Sequence, residues 1–305
     1  MMDRSQELER LRTWTERLRT ENASLAGVLD AFAPLFAELL KTRAALLAAG
    51  LSPVDPDPQR LARRLPRFVD APLGDYAQAF LAAARRILPV MARSFPGISE
   101  DLRKLMYALE SDAVDSAALM EGVVRGDEAA LARQAKSLGV DARSLELAAG
   151  LALRPVLEAV GSEVARAATL GAWGQGYCPV CGALPALAIL RSSGQDDAYL
   201  KNHGGQRWLH CSRCAAQWRF QRHACPHCGN EEHGTLEYRH PEGRAEARAD
   251  LCRKCNRYLA TCDASGALDE PVADVAALGL LPMDVVMQRD GFAPVARTAW
   301  NSLDP

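Results

Sequence analysis

The first 177 residues of this chain contain no cysteine, and none follows Gly266. Thiols so tightly confined argue for metal binding and against a disulfide framework. An excess of charge of either sign is also missing. Thirty-six Lys and Arg stand against 38 Asp and Glu, a net charge of -2, so no global attraction to nucleic acid or to an anionic membrane is expected. The amino-terminal MMDRSQELERLRTWTERLRT has no apolar h-region, so no secretory signal is expected. Apolar stretches such as Ala44 to Leu51 read as too short to span a bilayer. A cytoplasmic protein without membrane insertion is the resulting expectation. There is no GxGxxG after a strand, no P-loop, no HExxH and no GxSxG. The acid pairs Glu231-Glu232 and Asp269-Glu270 sit beside turns and read as solvated, so no catalytic residue is expected and the chain does not read as an enzyme.

What the chain does contain is four Cys-x-x-Cys pairs within 78 residues: Cys178/Cys181, Cys211/Cys214, Cys225/Cys228 and Cys252/Cys255. Each such turn aims two thiolates at one point, and two turns complete a tetrahedral S4 set for zinc or iron. Eight ligands therefore make two closed sites, with no open position for a substrate. The gaps between pairs are 29, 10 and 23 residues. The short middle gap separates two modules, which read as an internal duplication, and the longer gaps leave room for strands inside each. Site one is expected to use Cys178, Cys181, Cys211 and Cys214, and site two Cys225, Cys228, Cys252 and Cys255. An interleaved pairing, first turn with third and second with fourth, fits the gaps less well. Gly182, Ala215 and Gly229 follow three of the turns, and Pro179 and Pro226 follow the first cysteine of two, as in rubredoxin-type and zinc-ribbon knuckles. Spacing alone leaves the metal open between zinc and iron.

Residues 1–170 read as helical. Leu8, Leu11, Trp14 and Leu18 share one face, as do Val28, Leu29, Phe32, Leu35, Phe36, Leu39 and Leu40. Leu51 to Arg60, with three prolines, reads as a loop. A helix is expected near Tyr76 to Met91, and another with Ser99 as N-cap. Breaks are expected at Gly126-Asp127 and at Gly139-Val140-Asp141, giving six to eight helices and no strand. Gly171 to Tyr177 holds three glycines and reads as a linker. Short strands are expected at Gln206–His210, Gln217–Phe220 and Thr235–Arg239, and short helices at Val272–Leu281 and Met283–Arg289. The fold class is therefore α plus small β: a helical domain (1–170), two tandem rubredoxin-like or zinc-ribbon modules (171–218 and 219–265) and a helical tail (266–305).

Cys262 stands alone and reads as a small buried hydrophobe. All six histidines lie between His203 and His240. His227, inside the third knuckle, reads as a surface imidazole. From Tyr199 to Cys225 the chain carries Lys201, Arg207, Arg213, Arg219 and Arg222 with no acid residue, interleaved with Trp208, Trp218 and Phe220. A nucleic-acid surface is one reading of this run. A solvated face with inward-packed aromatics fits the near-neutral chain better.

In order along the chain stand a helical front, CPVCGALP, LHCSRC, Trp218 with Arg222 four residues on, CPHCG and CRKCNRYL. This arrangement resembles the formate dehydrogenase accessory protein FdhE family. The first knuckle with Gly182 and Pro185, and the last with Tyr258-Leu259, are the most specific parts. The resemblance implies two mononuclear iron sites, with zinc as the alternative. It also implies a cytosolic assembly factor that binds the catalytic subunit of a respiratory formate dehydrogenase before export through the twin-arginine pathway, with the signal peptide as one point of contact. A rubredoxin-like electron carrier and a zinc-ribbon nucleic-acid binder are the alternatives.

Overall fold

The computed structural model describes residues 4–171, 173–192, 205–244, 246–267 and 269–302. Its contacts divide the chain into two units, Met1–Val164 with Val180–Gly182, and Ala165–Pro179 with Ala183–Pro305.

The first unit is helical: α1 (Arg4–Glu21), α2 (Ala26–Ala48), α3 (Pro58–Ala62), α4 (Ala77–Ser94), α5 (Ser99–Glu110), α6 (Ser116–Arg125), α7 (Glu128–Leu138) and α8 (Ala142–Val160), with α9 (Ser162–Leu170) running through the boundary. No strand occurs here among the described residues. The count exceeds the expected six to eight chiefly because the proline-rich loop holds a single turn. Pro58 occupies its first turn, where no N–H is missed, and the Asp57 carboxylate accepts from Gln59 N and Arg60 N. At both expected breaks a left-handed glycine, Gly126 or Gly139, ends one helix. Asp127 or Asp141 then caps the next by accepting from Ala130 N or Ser144 N. Ser99 is not an N-cap. A 3-10 turn over Pro96–Ile98 leads straight into α5, so Ser99 is already helical.

α8 is the axis of this unit, with α2, α4, α5, α6 and α7 packed around it. Its alanines, Ala148, Ala149, Ala152 and Ala159, are buried and allow close approach. The helical stretch Ala23–Ala48 is long and apolar enough to cross a membrane, with mean hydropathy 1.6. The sequence reading missed this. Within the unit, Leu29, Leu35, Phe36 and Leu39 of that helix are buried, and Arg43 pairs with Glu7 and Glu158.

The second unit is built on one sheet of β1 (Pro185–Arg191), β2 (Gln206–Cys211), β3 (Gln217–Phe220), β4 (Leu236–Arg239), β5 (Ala247–Cys252), β6 (Arg257–Asp263) and β7 (Ala293–Pro294). The order is β3-β2-β1-β6-β5-β4, with β7 also on β6. Each module contributes an antiparallel three-stranded meander. The two join by a parallel pairing in which Ala188, Ile189 and Leu190 meet Thr261, Cys262 and Asp263. The tandem modules therefore share a single sheet. The register puts Leu187, Ile189, Ala247, Ala249, Leu251, Tyr258 and Ala260 on one face, where α10 (Ala273–Gly279) and α11 (Leu281–Arg289) complete a core through Ala276, Ala277, Met283 and Met287. The tail thus closes one face of the sheet.

The stretch read as a linker is packed rather than slack. Trp173 is buried and donates Nε1–H to Tyr177 O, and Trp218 Nε1 donates to Gln175 O. A Cβ at Gly176 would lie 1.9 Å from Pro226 O, so only glycine lets this strand of chain pass the third knuckle.

Candidate metal centres

All four Cys-x-x-Cys turns have one geometry. The residue after the second cysteine is left-handed in every case: Gly182 (φ 73°), Ala215 (φ 57°), Gly229 (φ 69°) and Asn256 (φ 52°). The first cysteine of each turn then bonds across the loop. Cys178 N donates to Ala183 O, Cys211 N to Ala216 O and Cys225 N to Asn230 O, each at 2.9 Å. In the fourth turn Cys252 pairs with Arg257 in the β5–β6 ladder. Ala215 holds this conformation without glycine's freedom, so the turn there is imposed by its surroundings, whereas the asparagine at 256 tolerates it.

These turns bring the cysteines together in two groups, Cys178, Cys181, Cys211 and Cys214, and Cys225, Cys228, Cys252 and Cys255. Within each group the ligand sulfurs lie within 4.8 Å of one another. The pairing is first turn with second and third with fourth, and the interleaved alternative does not occur. Each group could hold one metal ion. The Sγ atoms of Cys178 and Cys214 are 3.5 Å apart, those of Cys225 and Cys255 3.7 Å, and those of Cys228 and Cys252 3.7 Å. A disulfide needs about 2.05 Å. A tetrahedron of sulfurs around an ion at about 2.3 Å has edges of about 3.8 Å, and that is the spacing approached here. Backbone and side-chain donors face the sulfurs. Arg213 N and Cys214 N approach Cys211 Sγ at 3.4 Å, and Asn230 Nδ2 approaches Cys252 Sγ at 3.6 Å. Burial, with the Cys252 thiolate adding to it, pushes the Cys225 thiol up to about 11, and burial beside Cys225 pushes Cys255 up as well. Four sulfurs this close call for a cation to offset their charge.

Arg207 joins the strand that leads to Cys211 to the chain just before Cys225, and only its place in the basic run marked it in the sequence. It lies on β2 and is 4% exposed. Its Nη1 donates to Ala224 O at 3.0 Å, just before Cys225, and its Nη2 pairs with Asp250 on β5 at 3.0 Å. Arg248 Nε also lies 3.0 Å from Asp250, and Thr261 Oγ1 donates to it. The Arg207–Asp250 pair spans β1 and β6 on the sheet face opposite the apolar core, and so ties one module to the other. Burial depresses the Arg207 pKa, and Asp250 acts against that.

The remainder of the basic run divides. Trp218 is fully buried and Phe220 nearly so, whereas Arg219 is exposed. Tyr199, Lys201 and His203 lie outside the described residues. His227 is exposed, and Cys262 is half-buried against the core under α10 and α11. A second buried polar group was also not anticipated. The Tyr258 hydroxyl donates to Asp284 Oδ1 at 2.6 Å and accepts from Gln288 Nε2 at 3.1 Å. Burial lifts the Asp284 carboxyl to about 6, with the Tyr258 hydrogen bond pulling it back.

Residues 177–222 match the family model "FdhE, central domain". Over 127 residues the chain is 31% identical to a "Protein FdhE homolog" from Aquifex aeolicus, 41% of each chain. Over 86 residues it is 38% identical to the homologue from Stutzerimonas stutzeri, 28% of this chain and 25% of that one. The matches thus span less than half the length of these relatives. The crystal structure of the FdhE protein from Pseudomonas aeruginosa superposes with a TM-score of 0.56 at 22% identity, covering 95% of both chains, which shows a shared fold. Residues 177–222 are thus similar to the FdhE central domain, and the chain shares the fold of the Pseudomonas aeruginosa FdhE protein along nearly its whole length.

Proposed function

We propose that this chain is a cytoplasmic, non-catalytic assembly factor for a respiratory formate dehydrogenase. In this reading it binds the immature catalytic subunit, its twin-arginine signal peptide included, before export. The observation that carries the reading is the FdhE central domain coinciding with the first four-cysteine group. The same reading makes Cys178, Cys181, Cys211 and Cys214 the ligands of one ion, and Cys225, Cys228, Cys252 and Cys255 the ligands of a second. The family resemblance favours iron at both, with zinc as the alternative. The modules 171–218 and 219–265 then carry one ion each, beside a helical domain at 1–170 and a tail at 266–305. The ions when bound supply cross-links between knuckles. The chain's own residues supply the scaffold, through the left-handed turns and the Arg207–Asp250 pair.

Two experiments test this. Deletion of the gene should lower the yield of active formate dehydrogenase with transcript and catalytic-subunit synthesis unchanged, and the purified chain should capture the immature catalytic subunit. Full formate dehydrogenase activity in the deletion strain refutes the assembly role. Metal analysis with a visible spectrum decides the ion: ferric S4 sites are strongly coloured, whereas zinc sites are colourless.

A further inference from the structure

The two cysteine groups are built alike but not enclosed alike. Cys178, Cys181, Cys211 and Cys214 are each 0–1% exposed. In the other group Cys225 and Cys252 are buried, Cys255 is half-buried and Cys228 is exposed. The knuckles repeat this contrast. Pro179, Val180 and Cys181 are buried, whereas His227, Cys228 and Gly229 are exposed, as are Arg253, Lys254 and Asn256 of the knuckle opposite. A Cβ added at Gly182 would meet Val69 Cγ2 at 2.8 Å, and Val180 O accepts from Phe68 N at 3.0 Å. A Cβ added at the equivalent Gly229 meets nothing within 4 Å.

We infer that the second centre is an exchangeable metal site and the first a permanent one, with Cys228 the ligand that an incoming thiol or chelator displaces. This rests on the metal reading above. An incoming ligand needs a path to the ion and a leaving sulfur free to swing aside. Cys228 offers both, because it is the one exposed residue of its ligand set and the backbone after it is uncrowded. At the first centre no sulfur moves without local unfolding of its packed knuckle. The exchange is a ligand substitution without change of oxidation state: a bond forms from the incoming donor to the ion, the Cys228 bond breaks, and the freed thiolate takes a proton from water. The centre that exchanges is the one through which a soft metal, a thiol or a thiophilic partner communicates with the protein.

The test uses the full chain, reduced, anaerobic and loaded with zinc, its metal content measured first. Release to the chromogenic chelator 4-(2-pyridylazo)resorcinol should be biphasic, one equivalent leaving about tenfold faster than the other or more. Limited alkylation with N-ethylmaleimide, read by peptide mass spectrometry, should modify Cys228 ahead of every cysteine in the first group. Cys228→Ser should speed only the fast phase or leave a chain with one slowly released ion. Release of both ions in a single phase, or earlier alkylation of the first group, overturns the inference while leaving the metal reading intact. A chain that takes up no zinc or iron overturns both.

Discussion

The two units reach their order by different means. In the helical unit, α8 buries a largely apolar set of side chains, with Arg154 and Ser144 among them, and Arg43 bridges Glu7 and Glu158. The second unit has one apolar core on one sheet face, while its other face carries a buried arginine–aspartate pair and its knuckles converge on thiols. Apolar packing suffices where long helices cover one another. Short strands joined by metal turns bury too little, and cross-links have to make up the difference.

Metal removal should break that contrast most sharply. Chelation is expected to withdraw on the order of 10 kcal/mol from the second unit and to leave the helical unit folded. Trp14 lies in the first unit, whereas Trp173, Trp208, Trp218 and Trp300 lie in the second. Tryptophan emission should therefore shift to the red on chelation while the helical circular-dichroism signal persists. Loss of both signals together would mean that the helices depend on the metal unit.

Substituting Arg207 is the next step down. Arg207→Ala removes one of the two arginines on Asp250 and the buried donor to Ala224 O, leaving Arg248 and Thr261 on the carboxylate, and is expected to cost about 2–3 kcal/mol in denaturant unfolding. Arg43→Ala, on a triad whose side chains keep about a fifth of their exposure, should cost less, about 1–2 kcal/mol. Equal costs would show that the Arg207–Asp250 tie contributes no more than the Arg43 triad.

How much of this was legible depends on how local the cause is. The glycine–aspartate breaks at 126–127 and 139–141, the four knuckles and their pairing all depend on neighbours in sequence, and the spacing gave them. The helical front and the tail helices followed from periodicity. The single turn at Pro58 was hidden by its own prolines, and the length of the second helix by charges scattered along an apolar stretch. The parallel β1–β6 join and the Arg207–Asp250 pair bring together residues tens of positions apart, and nothing in a 10-residue gap announces them. The partners of Asp284 were invisible for the same reason.

The knuckle glycines sharpen the comparison between the two cysteine groups. Gly182→Ala and Gly229→Ala both place a side chain in the left-handed region, at about 1–2 kcal/mol. Only the first also drives a methyl group into Val69, adding about 1–3 kcal/mol of overpacking. The thermal midpoint should therefore fall further for Gly182→Ala. Equal shifts would mean that the first knuckle is free to move away from Val69.

The smallest effect concerns the tail. Asp284 has its carboxyl raised to about 6 by burial, above the roughly 3.9 of an unfolded aspartate. The folded state therefore holds a proton that the unfolded state has released. The associated stability is full below about pH 4 and is lost as pH rises through about 6. Between pH 7.5 and 6, where zinc or iron thiolate sites are still intact, the second unit should gain about 0.4 kcal/mol from this group. Asp284→Asn keeps an acceptor for the Tyr258 hydroxyl without the charge, and it should flatten that slope while stabilising the unit at pH 7.5. A slope that survives in Asp284→Asn would assign the effect to another group and leave the Tyr258–Asp284 bond a neutral-pH contact with no protonation linkage.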